Sequence, residues 1–457
     1  MLSSTDIALD ERAEKLREAL GTRVVLAGDP DYDAVRVPWN VAVEQRPFAV
    51  VTPESAEDVV AVVRAVTAAG LRLAPQSTGH AAPALADTDL SDVVLVRLAA
   101  LRGVTVTPET RTAIVLGGSH WNDVLAAAAP YGLTALHGSA GDVSVAGYSL
   151  NGGVSFYARA HGLGVNAVRA VQMVTADGSL VRASAEENED LFWAVRGGSG
   201  AFGIVVSLEI ELLPYADVFA GMLLWDASHT PVVSRAWKDW TSSVPESVTS
   251  TLRVLHLPPL PELPPFLSGR SVVVIDGAVL ESDARAAELL LPLRELAPEV
   301  DTFARIPAAA LVQVHMDPPQ PTPAMTRHRM LGSLPDEAVA AFVAVSEDPA
   351  LFIAELRHVG GAASRPVPGG GAVSALAGDY VVHAIAVAPV PEAVPPALAA
   401  ATAFVEAFEP WAHDALALTF LDGGMDRAFG FGASLDRLRA VKAQWDPRNV
   451  FAASNPV

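Results

Sequence analysis

Residues 137–164, "HGSAGDVSVAGYSLNGGVSFYARAHGLG", constrain this chain more than any other part of it. They form a long run of glycine and small polar residues between regular elements. Two shorter runs share the character, at 76–82 and 197–203. Glycine lets main-chain N–H groups come close to a pyrophosphate or a ring system. One such loop alone reads as a tight turn. Three in one α+β region point to a large bound cofactor.

The surrounding pattern supports that organisation. Short apolar runs at 49–51, 71–74, 93–98 and 112–116 read as strands. Helical spacing appears between them, as in Val59, Val63 and Val66, with Gly70 closing the helix. Thr52 is expected to cap that helix, with Pro53 in its first turn. A second helix is expected over about 121–131. Residues 168–184 read as a hairpin around Ala176-Asp177-Gly178. A helix in "EENEDLFWAVR" and a strand ending at Pro214 follow. Leu9, Ala13, Leu16 and Leu20 place an amphipathic helix at the start. After Pro214 proline clusters such as "LPPLPELPPF" punctuate strands at 271–275 and 380–386 and alanine-rich helices. This reads as a second domain. The last helix carries Leu435, Leu438 and Val441 on one side and stops before Pro447. The expected division is 1–213, 214–414 and 415–457.

Bulk properties exclude several function classes. The formal net charge of −21 argues against nucleic acid and anionic membranes as partners. There is no cysteine, which rules out disulfides, thiolate metal sites and a cysteine nucleophile. The eleven histidines show no zinc-ligand spacing, so no metal is expected. The absence of a signal pattern and of an apolar span predicts a soluble, cytoplasmic protein, monomeric or homodimeric. Gly198-Ser199-Gly200-Ala201-Phe202-Gly203 matches G-x-G-x-x-G, but a helix precedes it and a strand follows. A dinucleotide fingerprint needs the reverse order.

Five pieces together resemble the FAD-linked oxidases typified by vanillyl-alcohol oxidase, and within them the berberine-bridge-like enzymes and bacterial relatives such as 6-hydroxy-nicotine oxidase. They are "PWNVAVEQRPFAVVTPESAEDVVAVVRAV", "LAPQSTGH", "GSAGDVSVAGYSLNGG", the run from "ARAHGLG" through "AFGIVVSLEI", and "LDRLRAVKAQWDPRNVF". The resemblance covers residues 37–213 and resumes near 435. It implies an α+β, two-domain FAD-binding PCMH-type fold with an antiparallel-sheet-plus-helices substrate domain. It further implies that Gln76, Ser77, Thr78, Gly79, His80 and Ala81 form the pyrophosphate loop, His80 bonding the flavin 8α-methyl. Gly138, Ser139, Asp142, Val143, Gly147, Tyr148, Gly152 and Gly153 would line a second flavin segment. Gly162 and Asn166 would lie near the adenosine or ribityl part, with Gly203, Ile204 and Val205 beside it. Asn449, Phe451 and Asn455 would close over the cofactor.

Departures from the family pattern matter. Ala140 stands at the position of the second, cysteinyl attachment, so a single histidyl bond is implied. Thr78, Ser144 and Asn151 replace common glycines. Ala417 and Thr419 stand where relatives often carry a tyrosine and an asparagine, so the usual base is missing. The remaining candidates for a catalytic base are Tyr148, Tyr157, His358, Tyr380 and His383. Tyr380 and His383 should point to opposite faces of one strand. Val143, three residues after Ala140, goes with oxygen access in the relatives. The expected function is an FAD-dependent oxidase taking a hydride from a small organic alcohol or amine, or driving oxidative cyclisation, with molecular oxygen giving peroxide, in secondary metabolism. A flavin-scaffolded non-redox cyclase and a non-catalytic flavin- or small-molecule-binding protein are the alternatives. Bleaching of the flavin by substrate without air separates the oxidase from the non-redox cyclase.

Overall fold

The computed structural model describes residues 4–261, 264 and 266–457, with side chains from Glu11 onward. The Leu9 side chain, and Glu262, Leu263 and Pro265 of the proline cluster, lie outside the described residues. Three sheets organise the chain. The first joins Val24–Leu26, Ala49–Val51, Val93–Arg97 and Arg72–Gln76, with the last three parallel. Such parallel strands need crossovers, and the helix Ala56–Ala68 supplies one. Its Val59, Val62, Val63 and Val66 pack against the sheet, together with Leu16 and Leu20 of the helix Ser4–Leu20. The cap is Ser55 rather than Thr52. Its Oγ accepts from the Asp58 N–H at 3.1 Å, the three-residue spacing a cap needs, and Pro53 precedes the helix.

The second sheet is antiparallel, in the order 104–107, 112–116, 204–211, 168–174, 180–184. The hairpin Val168–Val174 and Leu180–Ser184 forms as expected, with Gly178 at φ +78° in its turn. The expected helix at 121–131 is α-helical only over Trp121–Ala128 and tightens into a 3₁₀ turn at Ala129–Tyr131, where Pro130 removes an N–H. The helix Glu189–Gly198 precedes the G-x-G-x-x-G run and the strand Ile204–Glu211 follows it. A short 3₁₀ turn, Ser199–Ala201, lies within the run.

The third sheet has eight antiparallel strands between Asp217 and Val387. Side chains alternate across a strand, so each strand serves two surroundings. One face packs on the helices Thr230–Thr241, Asp283–Arg294, Asp336–Val345 and Val394–Glu406 around Trp225, Trp237, Phe342, Leu356 and Val382. The other face carries Arg253, Asp276, Glu355, Arg357 and His383. The chain then returns to the first half. Leu438 and Val441 of the helix Leu435–Trp445 join the core around Val195 and Phe202. Asp446 accepts from the N–H groups of Val450 and Phe451, which lays this segment beside strand Arg72–Gln76 through the Leu73–Phe451 pairing. No helix among the described residues is long and apolar enough to cross a membrane.

Candidate functional site

Strand Arg72–Gln76 ends at the mouth of a cavity of about 420 Å³ lying between the glycine-rich loops and the polar face of the eight-stranded sheet. The loop after it is built around Gly79, at φ +88°. A Cβ there would stand 2.6 Å from the Gln76 amide and 2.7 Å from Pro38. The segment 38–40 clamps this loop from outside. Trp39 N–H donates to Thr78 O at 3.0 Å, and the indole stacks on His80 with ring centroids 4.0 Å apart. Trp39 Nε1 also donates to Asp142 Oδ2 at 2.8 Å, tying this loop to the second one. The main-chain N–H groups of Thr78, Gly79, His80 and Ala81 donate to no group among the described residues.

The second loop packs around Tyr148, on the helix Val145–Leu150 that Ser144 caps. Gly153, at φ +72°, would place a Cβ 2.6 Å from the Tyr148 ring, so the chain passes here only as glycine. Burial pushes the Tyr148 hydroxyl well above the ordinary phenol range, with the Arg357 charge opposing, and it stays protonated.

Opposite lies a buried ionic wall. Arg253 pairs with Asp276, and His315 Nδ1 lies 2.9 Å from the same carboxylate. His315 Nε2 is 3.3 Å from Glu355 Oε2, and Arg357 Nε donates to Glu355 Oε1 at 2.9 Å. Burial opposes charge on Glu355, but Arg357 and His315 outweigh it and hold that carboxyl well below the usual range. Burial and Arg253 lower the His315 pKa, but Asp276 and Asp317 outweigh them and raise it. Arg357 lines the cavity over Phe420; its Nη2 lies 3.3 Å from His315 Nε2, and no bond from Nη1 is made among the described residues. His383 stands beside it, with Nδ1 buried and unpartnered. Burial pushes its pKa down to about 4, so its ring is neutral.

The structure brings together Gln76, Ser77, Thr78, Gly79, His80, Ala81, Gly138, Ser139, Val143, Gly147, Tyr148, Gly203, Val205, His383 and Asn455 around this cavity. Asp142 is joined to it through Trp39 and His80. Others fall elsewhere. Tyr380 and His358 belong to the opposite face of the sheet, as the alternation requires. Tyr380 bonds Thr241 at 2.9 Å, and His358 stacks on it and bonds Arg159. Tyr157 is fully buried and stacks on Tyr215. These three are core groups without access to the cavity. Gly152 and Gly162 are turn positions at positive φ, and Gly153 packs on Tyr148. Asn166 donates to Ser374 O, and Ile204 sits in the first core. Phe451 packs under strand Arg72–Gln76, and Asn449, at φ 51°, forms the turn leading to it.

Sequence reasoning missed Trp39, His315, Glu355 and Arg357. A signal existed: Glu355 and Arg357 share one face of an apolar strand, where unpaired charge is prohibitive.

Around the cavity, Gln76 Oε1, Ser77 Oγ, Tyr148 OH and Asn455 Oδ1 are buried without a protein partner. Buried polar atoms rarely stay unpaired, and these come from three separated segments. With the free loop N–H groups they fit FAD: the loop amides would take the pyrophosphate and the remaining groups the ring and ribityl oxygens.

The buried histidines also set an acid limit to stability. Burial lowers His137 and His383 to about 4, and His328 and His358 to about 3, from 6.5. Below pH 6.5 the unfolded chain therefore binds more protons than the folded one, so stability falls as pH falls towards 4. Each histidine contributes up to about 1.4 kcal/mol per pH unit. Glu355 and Asp276 add to the loss at still lower pH, because their folded pKa values are depressed. His315, raised by its carboxylates, acts oppositely and stabilises below 6.5. Urea unfolding midpoints measured from pH 7 to pH 4 should decline throughout. A flat profile would contradict the neutral burial of these rings.

Fold and site together define an α+β, PCMH-type FAD-binding architecture. Residues 47–184 match the family described as FAD binding domain, and residues 426–457 match berberine and berberine like. Among curated relatives is the FAD-dependent monooxygenase drtC of Aspergillus calidoustus, 30% identical over 251 residues, 54% of this chain and 48% of that protein. The match thus spans about half the length of that relative. In solved structures the fold is similar to BBE-like 1 of Physcomitrella patens, with TM-score 0.84 at 22% identity over 97% and 98% of the two chains. It is also similar to 6-hydroxy-D-nicotine oxidase of Arthrobacter nicotinovorans, with TM-score 0.79 at 24% identity over 94% and 96%. The sequence relative is fungal, so the expected bacterial membership finds no support in it.

Proposed function

We propose that this chain is an FAD-dependent oxidase acting on a small organic alcohol or amine, with the flavin held through His80. One observation carries the reading: unpaired buried polar atoms from three segments converge on a cavity whose opposite wall is a buried cation. When bound, FAD supplies a hydride acceptor and passes the electrons to molecular oxygen.

The rest belongs to the protein. Phe352, Ile353, Ile385 and Phe420 give the cavity an apolar lining. Arg357 presents Nη1, which makes no bond among the described residues, to orient an acceptor oxygen of the substrate. Glu355 fixes the guanidinium, and His315 fixes Glu355. His383 is neutral, buried and beside Arg357, and lines the cavity, so it takes the substrate proton. Tyr148, protonated and unpartnered, donates. Val143, in the cavity wall, lies where the resemblance places oxygen access.

The test is spectroscopic. Candidate alcohols and amines are added to the yellow protein without air, then air is admitted and peroxide measured. Bleaching followed by one peroxide per flavin supports an oxidase. Product formed without bleaching would overturn it. His383→Ala should lower kcat/KM by about 10²–10⁴-fold. In the wild type the acid limb of kcat/KM should titrate near pH 4, where His383 gains its proton. A limb unchanged in the variant would remove His383 from the proton transfer.

A further inference from the structure

The groups around His80 do more than surround it. Its ring lies flat against Trp39, 16° from parallel. Its Nδ1 is 2.8 Å from the Thr78 hydroxyl, and its Nε2, buried and without a hydrogen bond, lies 3.7 Å from Asp142 Oδ1. The other oxygen of that carboxylate is held by the Trp39 indole. Asp142 is therefore fixed by one arm of the clamp and aimed at the imidazole by the other. His120 is the next titratable group of this corner, half-buried, and its pKa is lowered first by burial and then by Arg102.

From this arrangement we propose that Asp142 is the proton acceptor for attachment of the flavin to His80, with Trp39 as the residue that positions both. The inference rests on the tether proposed above. Asp142, with its oxygen 3.7 Å from Nε2, favours the imidazole proton on that nitrogen. Nδ1 is then the nitrogen with the lone pair, and the Thr78 hydroxyl donates to it until it reacts. In the attachment step a C–N bond forms between Nδ1 and the 8α carbon. A C–H bond at that carbon and the Nε2–H bond break, and both protons leave, the second to Asp142. The released electron pair goes to molecular oxygen, which with two protons becomes hydrogen peroxide. Stacking on Trp39 removes ring rotation and holds Nε2 on the side of Asp142 and Nδ1 on the side of Thr78, which lines the cavity.

The experiment follows tethering itself, not turnover. Wild type, Asp142→Asn, Trp39→Phe and His80→Ala are purified with their bound FAD and incubated in air at several pH values. Samples are acid-precipitated at intervals, and the tethered fraction of total bound flavin is read by fluorescence of the denatured band. Wild type should be almost fully tethered. Asp142→Asn should bind FAD yet tether at least about ten-fold more slowly, with a rate that climbs with pH as solvent takes over the proton. A variant damaged only in shape would show no such climb. Trp39→Phe keeps a stacking face and loses the indole bond, and should fall between the two. Tethering of Asp142→Asn at the wild-type rate at every pH would overturn the role of Asp142. Release of all flavin from wild type would instead sink the tether beneath it.

Discussion

His80→Ala should convert a protein whose flavin stays on the denatured chain into one that releases nearly all of it. The reason is the lack of any substitute. The chain has no cysteine, and Ala140 leaves the second attachment position empty of a nucleophile. His120, half-buried at the start of helix Trp121–Ala128, does not line the cavity, and the other histidines near it are committed elsewhere. His137 is buried with its Nδ1 2.6 Å from Gly138 O. His315 is held between two carboxylates, and His383 lies on the sheet opposite the loops. None can reach the place His80 occupies without refolding the loop. The measurement is flavin fluorescence on a denaturing gel beside total flavin in the native sample. A fluorescent band in His80→Ala would show that another residue carries the bond.

Asp276→Ala should cost about 3–5 kcal/mol of folding stability, the largest effect expected from a single change outside the cofactor loops. Asp276 is fully buried, and both Arg253 and His315 depend on it. Its removal leaves Arg253 without a carboxylate partner and His315 with Glu355 alone, which already serves Arg357. Desolvating a charge is costly unless it is paired, so the loss exceeds that of a surface ion pair, typically about 0–1 kcal/mol. The double variant Arg253→Met/Asp276→Leu separates charge from packing. Removing both partners should cost less than Asp276→Ala alone, because no unpaired charge remains between them. Urea unfolding gives both numbers. A double variant as damaged as the sum of its parts would assign the effect to shape instead.

Much of the first half was legible because its signals are local. Glycines that need positive φ, a hairpin turn at Asp177-Gly178 and valines at helical spacing act within a few residues. The helix cap was expected at Thr52 rather than at Ser55 for a local reason too, since both precede that helix and only the bond from Asp58 N–H selects one. Candidate bases fared less well. Tyr157, His358 and Tyr380 are chemically suitable, yet whether a polar side chain faces a core or a cavity depends on which face of the sheet the helices cover. Alternation predicted that Tyr380 and His383 part company, without saying which would meet the loops. The ionic wall was hidden for the same reason. Arg253, Asp276, His315 and Glu355 come from four separate segments, and their pairing exists only once strands Val248–His256, Ser271–Val279 and Ile353–His358 lie side by side.

Composition and local pattern by themselves determined that this chain is acidic, cysteine-free and α+β, and that glycine-rich loops frame a site with one histidine in the first of them. Those properties follow from residue chemistry and backbone freedom at short range. Only the tertiary structure decided that Trp39 and Asp142, 103 residues apart, meet on either side of His80, and that Arg357 faces the loops across the cavity. Contacts of that kind depend on how sheets stack and on which faces are left uncovered, and neither is encoded within reach of a single segment.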